Sequence, residues 1–165
     1  MMNVRSATAS DASELIEVMK DAEASGFMLF DSGERTLTTE QFQKYIEATN
    51  EKQNSAIFVA TEDEHILGYM IVQGETPKRI AHRAYIVIGV HSASRGKGVG
   101  TALFVHAEQW AKEAGIQRLE LTVIKYNEAA YHLYEKMGFE VEGVKQKSVK
   151  MNGEYVDEYY MAKMI

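Results

Sequence analysis

Three alternating glycines flanked by an arginine and a lysine stand out in the stretch Val90-His91-Ser92-Ala93-Ser94-Arg95-Gly96-Lys97-Gly98-Val99-Gly100-Thr101. An apolar run ends at Val90 and an amphipathic run begins beyond Gly100, so the stretch reads as a strand-to-helix junction. Glycines at such a junction let the backbone approach an anion closely. The first amides of the helix are unpaired donors with the positive end of the helix dipole behind them. The chemistry expected of this loop is recognition of a pyrophosphate. A glycine-rich turn with cationic decoration would be the better reading if no helix followed. A magnesium-nucleotide loop is a poor match, because Lys97 is followed by Gly98 and leaves no hydroxyl for the metal. A dinucleotide fingerprint needs G-x-G-x-x-G, whereas Gly96, Gly98 and Gly100 are spaced G-x-G-x-G. Glu120 stands at about the distance of a ribose-binding acid, but inside an alternating strand rather than at its end.

Other residue types narrow the chemistry further. The chain has no cysteine, which excludes disulfides, thiolate metal ligands and cysteine nucleophiles. His65, His82, His91, His106 and His132 show no H-x-x-x-H or H-E-x-x-H spacing, so no metal site is expected. Tyr155, Tyr159 and Tyr160 with Asp157 and Glu158 offer aromatics and acids for a cation pocket, although plain strand surface is the commoner reading of such an alternation on a terminal hairpin.

The elements that must position these residues follow from periodicity. Asn3-Val4-Arg5-Ser6 reads as a short edge strand. Ser10 or Asp11 caps a helix with the stripe Leu15, Val18, Met19 and Ala22, which ends at Gly26. Thr38 or Thr39 caps a second helix that turns Phe42, Tyr45 and Ile46 inward. Three apolar runs, 56–60, 66–72 and 84–90, read as an antiparallel meander with a tight turn at Glu62-Asp63-Glu64. Leu103, Ala107, Trp110, Ala111 and Ala114 mark a helix stopped by Gly115. Leu119, Leu121 and Val123 alternate as a half-buried strand, a helix runs from Asn127 to Met137, and Asn152-Gly153 joins two final strands. The fold class expected is α/β, a mixed and mostly antiparallel sheet flanked by helices, in one domain spanning 1–165.

Bulk properties exclude several classes. A length of 165 residues, 45% of them hydrophobic, with a single proline, suits a folded enzyme rather than a disordered or fibrous chain. The formal net charge of -6 opposes nucleic-acid binding and mildly favours a cationic small partner, although solubility alone is the better account of it. No apolar run reaches the roughly 20 residues of a membrane span and Met1-Met2-Asn3-Val4-Arg5 lacks a signal-type stretch, so no membrane partner and a cytoplasmic location are expected.

The loop resembles the acetyl-CoA pyrophosphate loop of GNAT-type acetyltransferases, R/Q-x-x-G-x-G/A, which Arg95-Gly96-Lys97-Gly98-Val99-Gly100 matches throughout. A second motif of that family, Asn-x-x-Ala-x-x-Leu-Tyr-x-x-x-Gly-Phe, is matched by Asn127, Ala130, Leu133, Tyr134, Gly138 and Phe139. The element order is also similar to the family's, with only Gly26 to Thr39 outside the likeness. The resemblance implies the GNAT-type acyl-CoA N-acyltransferase fold and an N-acetyltransferase. It would use acetyl-CoA as cosubstrate, without a metal, and a primary amine would attack directly in a ternary complex. A small-molecule amine, a polyamine or a peptide N-terminus are the acceptors it leaves open, and a homodimer is a further open expectation.

By the same resemblance, backbone amides of Arg95, Gly96, Lys97, Gly98, Val99, Gly100 and Thr101 hold the pyrophosphate. The strand ending at Val90 and the side chain of Asn127 bind the pantetheine arm. Tyr134 corresponds to the family's general acid, a phenol of ordinary pKa about 10 that keeps its proton at neutral pH. Helical spacing alone (Ala130, Leu133, Tyr134, Met137) would make it a core aromatic. An unpaired amide among Ile88, Gly89 and Val90 could face the thioester oxygen, with Gly89 marking a bulge or merely relieving packing. The strand carboxylate that many family members use as general base is absent from Arg83 to Val90, leaving Glu75 as a substitute and Glu142 as a weaker amine-binding candidate. That absence keeps open a non-catalytic acyl-CoA-binding sensor as the alternative.

Overall fold

The computed structural model describes residues 1–165. Seven strands form one sheet: β1 (Asn3–Ser6), β2 (Ala56–Glu62), β3 (His65–Gly74), β4 (Arg83–Val90), β5 (Arg118–Ile124), β6 (Glu140–Met151) and β7 (Glu154–Met164). Their order is β1-β2-β3-β4-β5-β7-β6, and every pairing is antiparallel except β4 with β5. Four helices cover it: α1 (Ala12–Glu23), α2 (Thr39–Asn50), α3 (Val99–Glu113) and α4 (Glu128–Lys136).

The local signals act as their chemistry requires. Thr38 and Gln41 exchange side-chain and backbone hydrogen bonds at 3.0 and 3.1 Å, closing a capping box on α2. Asp63 and Glu64 take φ of 51° and 67°, the left-handed pair that a two-residue hairpin needs to match strand twist. The expected meander is β2-β3-β4, with β3 extended to Gly74. Helix α4 starts one residue later than expected because Asn127 is its cap.

The sheet buries both faces, so its central strands alternate between two apolar layers rather than between core and water. Phe58, Met70, Ile86, Leu119 and Leu121 pack under Leu103, Phe104 and Ala107 of α3. Ile57, Val59, Tyr69 and Ile71 pack under Leu15, Val18 and Met19 of α1 and Phe42 and Ile46 of α2.

The parallel pair is short. Strand β4 meets β5 at Arg83, Ala84 and Tyr85 only, so the two strands part from Ile86 onward and a gap opens through the middle of the sheet. Tyr85 and Thr122 join hydroxyls at 2.8 Å where the pairing stops. On its other side β4 stays in register with β3 from Ala84 to Val90, without a bulge. The bulge considered at Gly89 is therefore not formed, and steric relief explains the glycine. A Cβ there would lie 2.5 to 2.6 Å from the ring and hydroxyl of Tyr69, which crosses the strand at this point. Gly89→Ala should accordingly lower stability by about 1–3 kcal/mol through overpacking against a rigid ring, measured by denaturant unfolding.

Candidate active site

The strand-to-helix junction is held at its start and left open at its end. Ser92 donates its amide and its hydroxyl to the two carboxylate oxygens of Asp21 on α1, at 2.6 and 2.8 Å. His91 accepts from the Ala93 amide and its carbonyl from the Ser94 amide, which completes a short 3-10 turn. From Arg95 to Thr101 no backbone amide finds an acceptor within the protein, and the first helical bond of α3 is Ala102 to the Gly98 carbonyl. Helices α2 and α4 are capped by Thr38 and Asn127, whereas α3 has Gly98 at its cap position and no capping side chain. A run of free amides with a helix dipole behind it fits the two phosphates of a CoA-type ligand.

The glycines of the loop serve different ends. Gly96 and Gly98 have φ of 76° and 81°, a left-handed backbone that turns successive amides outward and that a side chain would strain. Gly100 has ordinary helical geometry, but a Cβ on it would stand 2.6 Å from Leu133 Cδ2, so it lets α4 pack against the first turn of α3. Arg95 and Lys97 are exposed beside the amides. Lys136 of α4 reaches the Thr101 hydroxyl at 3.5 Å, which adds a cation that the sequence had not singled out.

The opened edge of β4 supplies the next donors. His91 donates its amide to Leu67 of the β3 side, and in a regular antiparallel strand alternate residues turn the same way. The amides and carbonyls of Ile86, Ile88 and Val90 thus face the gap, and that of Gly89 faces β3. Of the three residues considered for an unpaired amide, Ile88 and Val90 keep that role and Gly89 does not. Asn127 stands across the gap, beyond the end of β5. Its Oδ1 accepts from the Ala130 amide at 3.3 Å, and its side-chain amide group has no protein partner.

Tyr134 rises from α4 and is 7% exposed, edge-on to Phe104 at 5.7 Å. Burial pushes its phenol well above the ordinary value, and the neighbouring phenols of Tyr85 and Tyr69 push it the same way. Tyr69 belongs to the apolar layer on the opposite face of the sheet. The sealed, unpartnered side-chain atoms of the protein are Glu23 Oε1, Arg83 Nε and Ser148 Oγ. The Tyr134 hydroxyl, which has no protein partner, is not among them: it remains accessible. The ring is therefore the core aromatic that helical spacing predicts, while the hydroxyl keeps an accessible edge.

Other sequence candidates fall elsewhere. Glu142 is held by both terminal nitrogens of Arg118, which lowers its pKa and occupies its oxygens. Glu75 is half-buried beyond Gly74, opposite Ala84, where β4 and β5 are still paired. Tyr159 packs on Tyr131 at 5.5 Å, and Tyr155 and Tyr160 are exposed on the terminal hairpin. Sequence reasoning passed over Asp21, Glu23, Arg35, Tyr69, Tyr85 and Thr122. Only the out-of-place polarity of Glu23, beside Ala22 on an apolar stripe, offered a signal.

Residues 16–139 match the model of the acetyltransferase (GNAT) family. L-amino acid N-acetyltransferase AaaT of Escherichia coli is 36% identical over 110 residues, which is 64% of this chain and 66% of that protein, just under two thirds of its length. A crystal structure of a GNAT-family acetyltransferase from Streptococcus pneumoniae superposes with a TM-score of 0.95 at 29% identity and covers 100% of both chains. YncA of Salmonella typhimurium, solved with its cofactor acetyl-CoA, shares the fold with a TM-score of 0.89 at 21% identity over 99% of this chain and 93% of its own.

Two substitutions separate the parts of the loop. Gly98→Val should raise the dissociation constant of CoA at least about tenfold, with a stability loss of about 1–2 kcal/mol from the forced left-handed backbone. Asp21→Ala should release Ser92 and weaken CoA binding by roughly 3- to 10-fold, with a stability loss under about 1.5 kcal/mol. Titration calorimetry with CoA and denaturant melts measure the two effects separately.

Proposed function

The chain belongs to the GNAT family of acetyltransferases, and on that footing we propose that it is an N-acetyltransferase that moves the acetyl group of acetyl-CoA to a primary amine across the β4–β5 gap. The observation that carries this reading is the run of unpaired amides from Arg95 to Thr101, set where β4 leaves β5. A diphosphate bound there starts an extended arm into the gap, along the free edge of β4.

When bound, acetyl-CoA supplies an activated acetyl group and a thiolate leaving group. The protein's part is to bind, orient and hold a proton. The amides of Arg95 to Thr101 take the phosphate oxygens, with Arg95, Lys97 and Lys136 around them. The outward amides of Ile88 and Val90 take the carbonyls of the arm, and Asn127 donates from the other wall. An amide on the same edge, in a dry gap, is placed to stabilise negative charge on the reacting oxygen. Tyr134 keeps its proton through the physiological range because burial disfavours its phenolate. As the C–S bond breaks the sulfur takes the Tyr134 proton, and the phenolate is reprotonated by the proton that the attacking nitrogen loses on becoming an amide, so that neither a thiolate nor a phenolate remains in the gap. The acceptor is a primary amine; the amino groups of amino acids, polyamines and peptide termini all fit this chemistry.

Saturating CoA should raise the melting temperature by mass action. Thiol release from acetyl-CoA across a panel of amines then tests catalysis, and binding without thiol release for any amine would support the sensor instead. Tyr134→Phe keeps the ring against Phe104 and removes only the hydroxyl. Turnover should fall by roughly 10²-fold with CoA affinity and melting temperature near wild type. Near-normal turnover in the folded variant, with chemistry rate-limiting, would leave solvent as the acid.

A further inference from the structure

Ala84 and Ile86 of β4 and Leu121 and Val123 of β5 turn into the layer beneath α3. Tyr85 and Thr122, which alternate with them, therefore turn to the other face of the sheet, and their hydroxyls meet there at 2.8 Å, just where the two strands cease to pair. Either hydroxyl can donate to the other. A pair of this kind keeps one O–H free to donate outward and one oxygen free to accept, so a proton can enter at one end while another leaves at the far end.

The two ends differ in their surroundings. Gln73 stands opposite Tyr85 on β3 and gives its side-chain amide to the Tyr45 hydroxyl at 3.2 Å, which leaves Thr122 as the only partner of the Tyr85 hydroxyl. The apolar layer under α1 and α2 draws its strand residues from β2 and β3, with Val87 of β4 at its margin. Beyond it the sheet is open on this face, and Tyr160, opposite Thr122 on β7, is 45% exposed. The Tyr85 end thus borders the gap and the Thr122 end faces water. No free carboxylate competes with the pair. Glu120, two residues before Thr122, accepts from Arg118 Nε at 2.9 Å and lies 3.7 Å from Arg83 Nε. Glu142 is held by Arg118, and Tyr69, the other phenol of this face, lies over Gly89.

A primary amine arrives at neutral pH mostly as an ammonium ion, and one proton must leave it before the nitrogen can attack. We propose that the Tyr85–Thr122 pair conducts that proton to solvent, with Tyr85 as the catalytic residue that accepts from the nitrogen and Thr122 as its positioning partner. The N–H bond breaks as its proton passes to Tyr85 Oη, the Tyr85 proton passes to Thr122 Oγ1, and the Thr122 proton passes to water. Both hydroxyls end neutral, and the electron pair of the broken N–H bond stays on nitrogen for the attack. The second proton, lost when the nitrogen becomes an amide, is the one that returns to Tyr134. An arm that follows β4 from the loop passes Val90 and Ile88 and comes to Ile86, beside the pair. Tyr134 belongs to the layer beneath α3, so acid and relay stand on opposite faces with the arm between them. The inference rests on the acetyltransferase reading above.

The test follows thiol release from acetyl-CoA with ethylamine, methoxyethylamine and trifluoroethylamine, which are alike around the nitrogen and fall in basicity until the last is already neutral. Tyr85→Phe keeps the ring and should lower kcat/KM for ethylamine by about 10- to 10²-fold while leaving trifluoroethylamine within about 3-fold. Thr122→Val keeps the shape without the hydroxyl and should give the same pattern more weakly, and Thr122→Ser should restore most of that loss. The double variant Tyr85→Phe/Thr122→Val should fall no further than Tyr85→Phe alone, within about 2-fold, because the two hydroxyls act as one path. A loss equal across the three amines, no loss at all, or losses that multiply in the double variant overturns the proposal, as does CoA binding without thiol release from any amine. Thr122→Val decides if Tyr85→Phe does not fold. Absence of CoA binding by the wild-type protein would instead defeat the acetyltransferase reading.

Discussion

The parting of β4 from β5 after Tyr85 is the constraint on which the rest of the site depends. A continuous parallel pair would consume the outward amides and carbonyls of Ile86, Ile88 and Val90, and two covered faces would leave no passage between them. The hydroxyl pair of Tyr85 and Thr122 marks the vertex of the gap. Beyond it, β4 is held by β3 alone, in unbroken register up to the loop. An edge strand in the middle of a sheet is normally a liability; here both helical layers shield it, and its free polar groups become a binding surface.

Helix α1 joins the two halves of this arrangement through its last turn. Asp21 reaches the loop through Ser92, and Glu23, two residues on, reaches the other connection through Arg35. Two carboxylates at the negative end of a helix oppose its dipole. Each is compensated by a contact far away in the chain, so α1 fixes the glycine-rich loop and the 24–38 connection relative to each other. Tyr69, lying over Gly89 between them, fills the space that a side chain on the strand would otherwise need.

Tyr134 combines a packed ring with an accessible hydroxyl. Its ring belongs to the layer beneath α3, with Phe104 and Phe139, and helical spacing accounts for that. Its hydroxyl has no protein partner and stays accessible, and the phenols of Tyr85 and Tyr69 add to the rise in its pKa that burial causes. In an uninterrupted sheet the same side chain would end against backbone and have no access to either face.

Much of this was legible in the residues themselves. The caps at Thr38 and Asn127, the Asn152-Gly153 hairpin and the meander all rest on interactions between near neighbours in the chain, which is why sequence reveals them. The free amides from Arg95 to Thr101 are legible for the same reason, since they are contiguous at one helix terminus. Of the two readings of Gly89, bulge or relief of packing, the sequence could not choose, because the cause lies 20 residues away in the ring of Tyr69. Asp21 and Ser92 are separated by 71 residues, and Glu23 and Arg35 by 12 across an irregular connection. By itself the sequence determined the elements and the glycine-rich loop at the start of α3, whose physics is local. Only the tertiary structure decided where the sheet parts, which amides are left free there, and which buried carboxylate keeps an oxygen without a partner, because strand order and the meeting of distant side chains are set by packing.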